Sequence, residues 1–264
     1  MTYNVWSRED VVVYERMKVI GDLVRRHSPD VIFFQEITPY IHSIFESFAW
    51  WKDYHSSPVS PEEQNGNLHL CLMLSKLPME SYARWNYGTS PTGKSYLEAD
   101  ITPGSVKPLR IATTQLECPV PPVSMHLRER YMQAKHAVSA LSSADNIVFG
   151  GDMSWDDKAD MPFPLPAGWS DAWERLKCGT EGESWTYNSL WVEKPREFSG
   201  FEFPQFNKRS DRFLCKLQDY TLEAIELIGV GHLDIYCYHK DHSNGHLKMV
   251  PSCHRGLVLT IIPK

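Results

Sequence analysis

Residues 30–36 read Asp-Val-Ile-Phe-Phe-Gln-Glu, an unbroken apolar run of β-branched and aromatic residues closed by two polar ones. Such a run reads as a buried strand that ends in two polar residues. The flanking sequence agrees. Val13, Met17, Ile20 and Val24 recur at helical spacing on one face, and Pro29 stops that helix. A short strand is expected around Tyr3–Trp6, a second helix over 40–48 and another buried strand over 68–74. Residues 96–101 and 109–116 form a strand pair joined by Pro103-Gly104-Ser105. A long helical pattern covers 126–141, and a short strand over 146–149 leads into Gly150-Gly151-Asp152. Residues 158–206, rich in Pro, Gly and Trp, are read as loop. Strands over 212–217, 220–228 and 257–262 complete the pattern. Strand pairs mixed with strand–helix units predict one α/β domain over residues 1–264, with packed sheets and outer helices.

Charge narrows the function classes. Lys and Arg number 27 against 33 Asp and Glu, a formal charge of −6. That excludes nucleic-acid binding through net charge, but not an enzyme that grips a few phosphates in a local cleft. No apolar run nears the roughly 18 residues that span a bilayer, so no membrane partner is expected. The cysteines at 71, 118, 178, 215, 237 and 253 are widely spaced with no C-x-x-C pair, which reads as reduced thiols in a cytosolic or nuclear protein.

The polar residues at the strand ends carry the chemistry. Asn4 lies in the first strand, Glu36 ends the second, Asp152 follows a strand and two glycines, Asp211 opens a strand, and His254 sits just before the last one. Gathered at one rim of a sheet, this set suits metal-assisted phosphodiester hydrolysis. Glu36 holds a hard divalent cation through oxygen, as magnesium prefers. The cation neutralises phosphate charge. Asp152 orients or deprotonates the attacking water, and His254 donates to the phosphoryl oxygens where charge builds up. Asp211 orients His254 and keeps it protonated. Asn4 positions a phosphate oxygen or the nucleophile.

The combination and its order resemble the endonuclease/exonuclease/phosphatase superfamily and, within it, the tyrosyl-DNA phosphodiesterase 2 family, especially its plant-type members. The matching segments are T-Y-N-V-W at 2–6, S-P-D-V-I-F-F-Q-E at 28–36, A-T-T-Q-L-E at 112–117, G-G-D-M-S-W-D-D at 150–157, W-T-Y-N at 185–188, K-R-S-D-R-F at 208–213 and P-S-C-H-R-G-L at 251–257. The resemblance implies a four-layer α/β/β/α sandwich of two mixed sheets flanked by helices. It also implies magnesium-dependent release of tyrosine (manganese being the alternative ion) from a 5′-phosphotyrosyl DNA end left by an aborted topoisomerase II reaction. A nuclear, monomeric DNA-repair enzyme follows by the same route. Motif matching puts Asn4, Glu36, Asp152 and His254 on the family's catalytic positions, with Glu36 as metal ligand and Asp211 as the aspartate that orients the histidine. Arg130 and Gln133 on the long helix, with Trp185 and Tyr187, are candidates for lining a DNA groove, where aromatic rings stack on bases.

Departures from the family pattern open other outcomes. Cys253 stands where the family has aspartate, Gln115 where it has histidine, Ser154 where animal-type members have asparagine, and Asn188 where the family carries aspartate. Cysteine is neutral at its ordinary pKa of about 8.5 and prefers softer metals, so it is no substitute for a carboxylate toward magnesium. The lead-in before Tyr3-Asn4 is shorter than the family's, so the first strand is expected to be truncated and frayed. Two alternatives therefore stand beside the active enzyme. One is a degenerate copy that keeps the fold and perhaps DNA or protein binding. The other is a superfamily hydrolase acting on RNA, a nucleotide or an inositol phosphate.

Overall fold

The computed structural model describes residues 1–59, 69–104, 107–120, 123–177, 184–189, 207–238 and 246–264. Its strands in chain order are β1 (Thr2–Asn4), β2 (Val31–Ile37), β3 (His55–Ser56), β4 (Leu70–Ser75), β5 (Glu80–Asn86), β6 (Ser95–Ile101), β7 (Leu109–Gln115), β8 (Asn146–Asp152), β9 (Ser170–Asp171), β10 (Tyr187–Asn188), β11 (Asn207–Lys208), β12 (Asp211–Leu217), β13 (Tyr220–Ile228), β14 (Tyr236–Tyr238), β15 (His246–Lys248) and β16 (Gly256–Pro263). The helices are α1 (Val13–His27), α2 (Pro39–Glu46), α3 (Leu127–Leu141) and α4 (Ala172–Lys177), with a 3₁₀ turn at Ala49–Asp53.

The strands form two six-stranded sheets, ordered β13-β16-β1-β2-β4-β3 and β5-β6-β7-β8-β12-β9. Both are mixed: β1 runs parallel to β2, and β7 parallel to β8, among antiparallel neighbours. Their inner faces share one apolar layer, in which Phe33, Met73 and Leu257 meet Leu97, Ile111, Val148 and Phe213. Helix α1 lays Val13, Met17, Ile20 and Val24 on the outer face of the first sheet, against Tyr3, Ile32 and Phe34. Helix α3 lays Ala134, Ala137, Val138 and Leu141 on the outer face of the second, against Ala112, Ile147, Phe149 and Leu214. The result is the four-layer α/β/β/α sandwich, and the continuous apolar run of residues 31–34 is accounted for by its two covered faces. Among the described residues no helix is long and apolar enough to cross a membrane, and Cys71, Cys118, Cys215 and Cys253 are free thiols. Cys178, Leu68 and Ser105 lie outside the described residues, as does much of 158–206.

Several local expectations are corrected. Strand β1 is short but not frayed. Met1 to Trp6 are all buried, and β1 is paired on both sides, with β2 and β16. Arg16 on α1, fully buried, staples the exit of β1: its Nη1 donates to the carbonyls of Val5 and Trp6 at 3.1 Å and of Pro251 at 3.2 Å. The guanidinium also stacks on the Trp6 ring, 4.6 Å from its centroid. The strand expected to stop at Phe149 continues through Gly150 and Gly151 to Asp152. Glycine is required there because the second sheet closes tightly. A Cβ at Gly151 would overlap the carbonyl oxygen of Thr114, and one at Gly150 would meet the Phe213 ring at 2.5 Å. Strand β5 has no signal in the sequence because it is an edge strand, with its residues exposed or half-buried and no clean alternation.

Candidate active site

The rim of the sandwich is built by strand ends in register. Asp152 is paired with Asp211 on β12 and with Gln115 on β7, so three chemistry-bearing residues stand in one row of the second sheet. Facing them, the first sheet presents Asn4 at the end of β1 and Glu36 near the end of β2. Glu36 is delivered by a bulge. The pairing of β2 with β4 shifts between Phe34 and Ile37, and Glu36 takes a left-handed backbone, φ +61°. Such a conformation costs a non-glycine residue about 1–2 kcal/mol, and here it turns the carboxylate toward the other sheet.

Asn4 sits between the two acids. Its Nδ2 donates to Glu36 Oε1 at 3.0 Å and to Asp152 Oδ2 at 2.9 Å. The chain turns back at Trp6, whose N–H donates to Asn4 Oδ1 at 3.0 Å and so sets the amide's orientation. Gln115 Nε2 donates to the same two carboxylates, at 2.8 and 3.3 Å. The remaining oxygens are also met. Glu36 Oε2 accepts from the backbone N–H and hydroxyl of Ser7, both at 3.0 Å. Asp152 Oδ1 accepts from Ser154 N–H at 2.8 Å and Ser210 Oγ at 2.6 Å.

His254 arrives on the loop before β16. Ser252 shapes that loop, donating to the carbonyl of Asn4 at 2.7 Å and accepting from His254 N–H at 3.0 Å. His254 Nδ1 is 2.8 Å from Asp211 Oδ2, and Nε2 is 3.9 Å from Asp152 Oδ2. Asp211, His254 and Asp152 thus lie in line, all buried. The electrostatics follow from this order. Burial alone would lower the His254 pKa, but Asp211 first and Asp152 second raise it well above its ordinary value. Burial raises Asp211, against the pull of His254. Burial would also raise Glu36 and Asp152. For Glu36, the charge of His254, the Asn4 amide and the Ser7 N–H outweigh it. For Asp152, His254, the Ser210 hydroxyl, Lys208 and the Ser154 N–H outweigh it, holding the carboxyl far below the usual range.

Glu36, Asp152 and His254 offer ligand atoms all within 4.8 Å of one another. The donor set fits a hard divalent cation: two carboxylates, both held ionised, supply oxygen. A protonated His254 has no free lone pair for a metal and is left as a hydrogen-bond donor.

The altered positions are placed as follows. Ser154, left-handed at φ +49°, braces Asp152 and contacts Cys118 Sγ through its hydroxyl at 3.0 Å. Asn188 supports the histidine loop through its backbone N–H, which donates to the carbonyl of Cys253 at 3.0 Å. Cys253 is buried in an apolar cluster with Trp6, Leu233 and Met249, and burial pushes its thiol up. Trp185 and Tyr187 are half-buried. The ring of Tyr187 lies 4.9 Å from that of His254, and Arg255 stacks 3.2 Å over Trp185. Arg130 and Gln133 are not at a groove, and that expectation is corrected. Both are buried, because α3 turns them inward to satisfy the backbone after β7. Arg130 donates to the carbonyls of Glu117 and Met125 at 2.9 and 3.0 Å and pairs with Asp160 at 2.7 Å. Gln133 binds Glu117 through both ends of its amide. Sequence reasoning missed Ser7, Lys94 and Ser210. Only Ser210 carried a signal, inside K-R-S-D-R.

Similar proteins share this arrangement of layers. D. rerio TDP2, solved in complex with a single-strand DNA product, superposes with a TM-score of 0.76 at 19% identity, over 99% of this chain and 97% of that one. C. elegans TDP2 superposes with a TM-score of 0.75 at 17% identity, over 100% of this chain and 74% of that one. In sequence, the 5′-tyrosyl-DNA phosphodiesterase of Caenorhabditis briggsae is 22% identical over 210 residues, which are 76% of this chain and 55% of that protein. The chain thus spans about half the length of that curated relative. The profile of the Endonuclease/Exonuclease/phosphatase family matches residues 1–216. That stretch runs from β1 to β12 and takes in Asn4, Glu36, Gln115, Asp152 and Asp211, so by the extent of the match and by the sandwich that carries it, the chain belongs to the Endonuclease/Exonuclease/phosphatase family.

Proposed function

We propose that the protein is a magnesium-dependent phosphodiesterase that hydrolyses the phosphotyrosyl bond at blocked 5′ DNA ends. One observation carries the reading: Glu36, Asp152 and His254 converge within 4.8 Å, with Asp211 directly behind the histidine. A bound cation supplies charge neutralisation at the phosphate and the leaving oxygen. Glu36 and Asp152 are the residues that would hold it. Asp152 orients the attacking water; its depressed pKa makes it a better acceptor than proton store. Water adds to phosphorus, the bond from phosphorus to the tyrosine oxygen breaks, and the DNA keeps a 5′-phosphate. His254, kept charged by Asp211, donates from Nε2 to a phosphoryl oxygen as charge builds there. The relative named for 5′-tyrosyl-DNA phosphodiesterase supports this choice of substrate. DNA repair and a nuclear location follow from the same substrate.

A second reading, a copy of reduced activity, is favoured by Cys253, whose thiol lies beside His254 on one side and Trp6, Leu233 and Met249 on the other, and whose pKa burial raises, so it brings no carboxylate to the site. The test is cleavage of a 5′-phosphotyrosyl oligonucleotide with and without magnesium, for the parent and for Glu36→Gln. Metal-dependent release of tyrosine, lost in Glu36→Gln, is the expected result. Release indifferent to Glu36→Gln overturns the assigned centre. Silence on this substrate with turnover of RNA, a nucleotide or an inositol phosphate overturns the substrate.

A further inference from the structure

Two side-chain amides, from Asn4 and Gln115, join the same pair of carboxylate oxygens, Glu36 Oε1 and Asp152 Oδ2. Their orientations are set by different means. The Asn4 carbonyl oxygen is met by a backbone N–H, that of Trp6. The Gln115 carbonyl oxygen is met by an ammonium: Lys94 Nζ donates to Oε1 at 2.6 Å. An ammonium offers donors only, so it dictates which end of the amide faces the carboxylates. Lys94 is itself held in the β5–β6 hairpin, where its N–H donates to Ser90 Oγ at 2.8 Å and its carbonyl accepts from Tyr87 N–H at 3.0 Å.

We propose that Lys94 is a positioning residue of the cation centre, acting through Gln115 by locking the amide orientation that holds Glu36 and Asp152 side by side. The inference rests on the proposed metal site. Two ionised carboxylates brought together repel each other, and the N–H groups of two amides offset that repulsion before a cation arrives. Without Lys94 the Gln115 carbonyl oxygen loses its donor, the amide is no longer anchored with its N–H groups on the acids, and the pair separates. The ligands must then be reassembled on binding, and affinity falls. A bystander lysine acts with the opposite sign, because its positive charge repels a divalent cation and its removal tightens binding.

The sign is read by calorimetric titration of magnesium into the metal-stripped full chain without DNA. Lys94→Met is expected to weaken binding by about tenfold, the scale of one lost orienting contact. Lys94→Arg, which also offers donors only, should restore it, and Lys94→Met combined with Gln115→Leu should bind no more weakly than Gln115→Leu alone. Thermal midpoints of the metal-free variants report folding. If Lys94→Met does not fold, Lys94→Gln replaces it, since an amide fixes neither orientation. Unchanged or tighter binding in the Lys94 variant, or additive losses in the double variant, overturns the inference while leaving the metal site standing. Magnesium binding that ignores Glu36→Gln overturns the metal site and the inference together.

Discussion

Replacing Asp211 by asparagine tests the buried line of charges at one atom. Asp211 is fully buried, its Oδ2 lies 2.8 Å from His254 Nδ1, and its backbone N–H donates to Thr186 Oγ1 at 2.8 Å. Asparagine keeps the shape and the backbone contact and removes only the charge. A hydrogen bond to a charged group contributes about 1.5–3 kcal/mol, which at 1.36 kcal/mol per decade is a loss of roughly ten- to 150-fold in kcat/KM near neutral pH. The loss should depend on pH. His254 stands well above its ordinary pKa, chiefly through Asp211. A raised folded-state pKa gives a stabilising proton that is fully present below the ordinary histidine value and is lost as pH rises through the folded value. Asp211→Asn therefore moves the alkaline limb of the rate profile to lower pH, and the deficit shrinks toward acidic pH. Initial rates on the tyrosyl oligonucleotide across pH measure the limb, and NMR titration of the His254 ring in metal-free protein measures the proton directly. A limb that coincides with the parent's, or a deficit equal at every pH, refutes the assignment of Asp211.

Three further outcomes are expected. Cys253→Asp puts a carboxylate against Trp6, Leu233 and Met249, so the metal-free protein should melt lower, by about 1–3 kcal/mol of lost stability, and magnesium should restore part of it. Equal midpoints with and without magnesium count against an acid at this position reaching the centre. Gly151→Ala drives a methyl into the Thr114 carbonyl and should cost about 1–3 kcal/mol in denaturant unfolding, with activity falling alongside as Asp152 shifts; a neutral result removes the reason given for the glycine pair. Arg130→Met should destabilise by about 3–5 kcal/mol, since it strands the buried Asp160, and leave the salt dependence of single-strand DNA binding unchanged. A reduced salt slope with intact stability returns Arg130 to the DNA groove.

The residues of the site were legible because their types are unusual where they stand. Glu36 interrupts an apolar strand, Asp152 follows two glycines, and His254 precedes an apolar run. Their motifs also come in an order that a familiar superfamily shares. Roles that depend on orientation were not legible. Arg130 and Gln133 lie on a helix whose sequence leaves their inward turn open, and only the carbonyls after β7 and the buried Asp160 decide it. The expected fraying of the first strand is absent because β2 and β16 pair with it and Arg16, close in sequence but without a recognisable motif, pins its exit.

Sequence alone determined the layers and the chemistry in reach. Apolar periodicity is a property of neighbouring residues, so α1, β2 and α3 can be read from a few turns or a few pleats of chain. It also determined that acids, amides and an imidazole end those elements. Tertiary structure decided how these groups meet. Asn4 and Asp152 are 148 residues apart and share a hydrogen bond because two sheets close on one apolar layer. The bulge at Glu36 turns a carboxylate across that layer, and the β5–β6 hairpin carries Lys94 to Gln115. Cys253 was set between an apolar cluster and His254. Long-range register and the sense of an amide are set by packing and by donor–acceptor matching between distant segments, which no local pattern encodes.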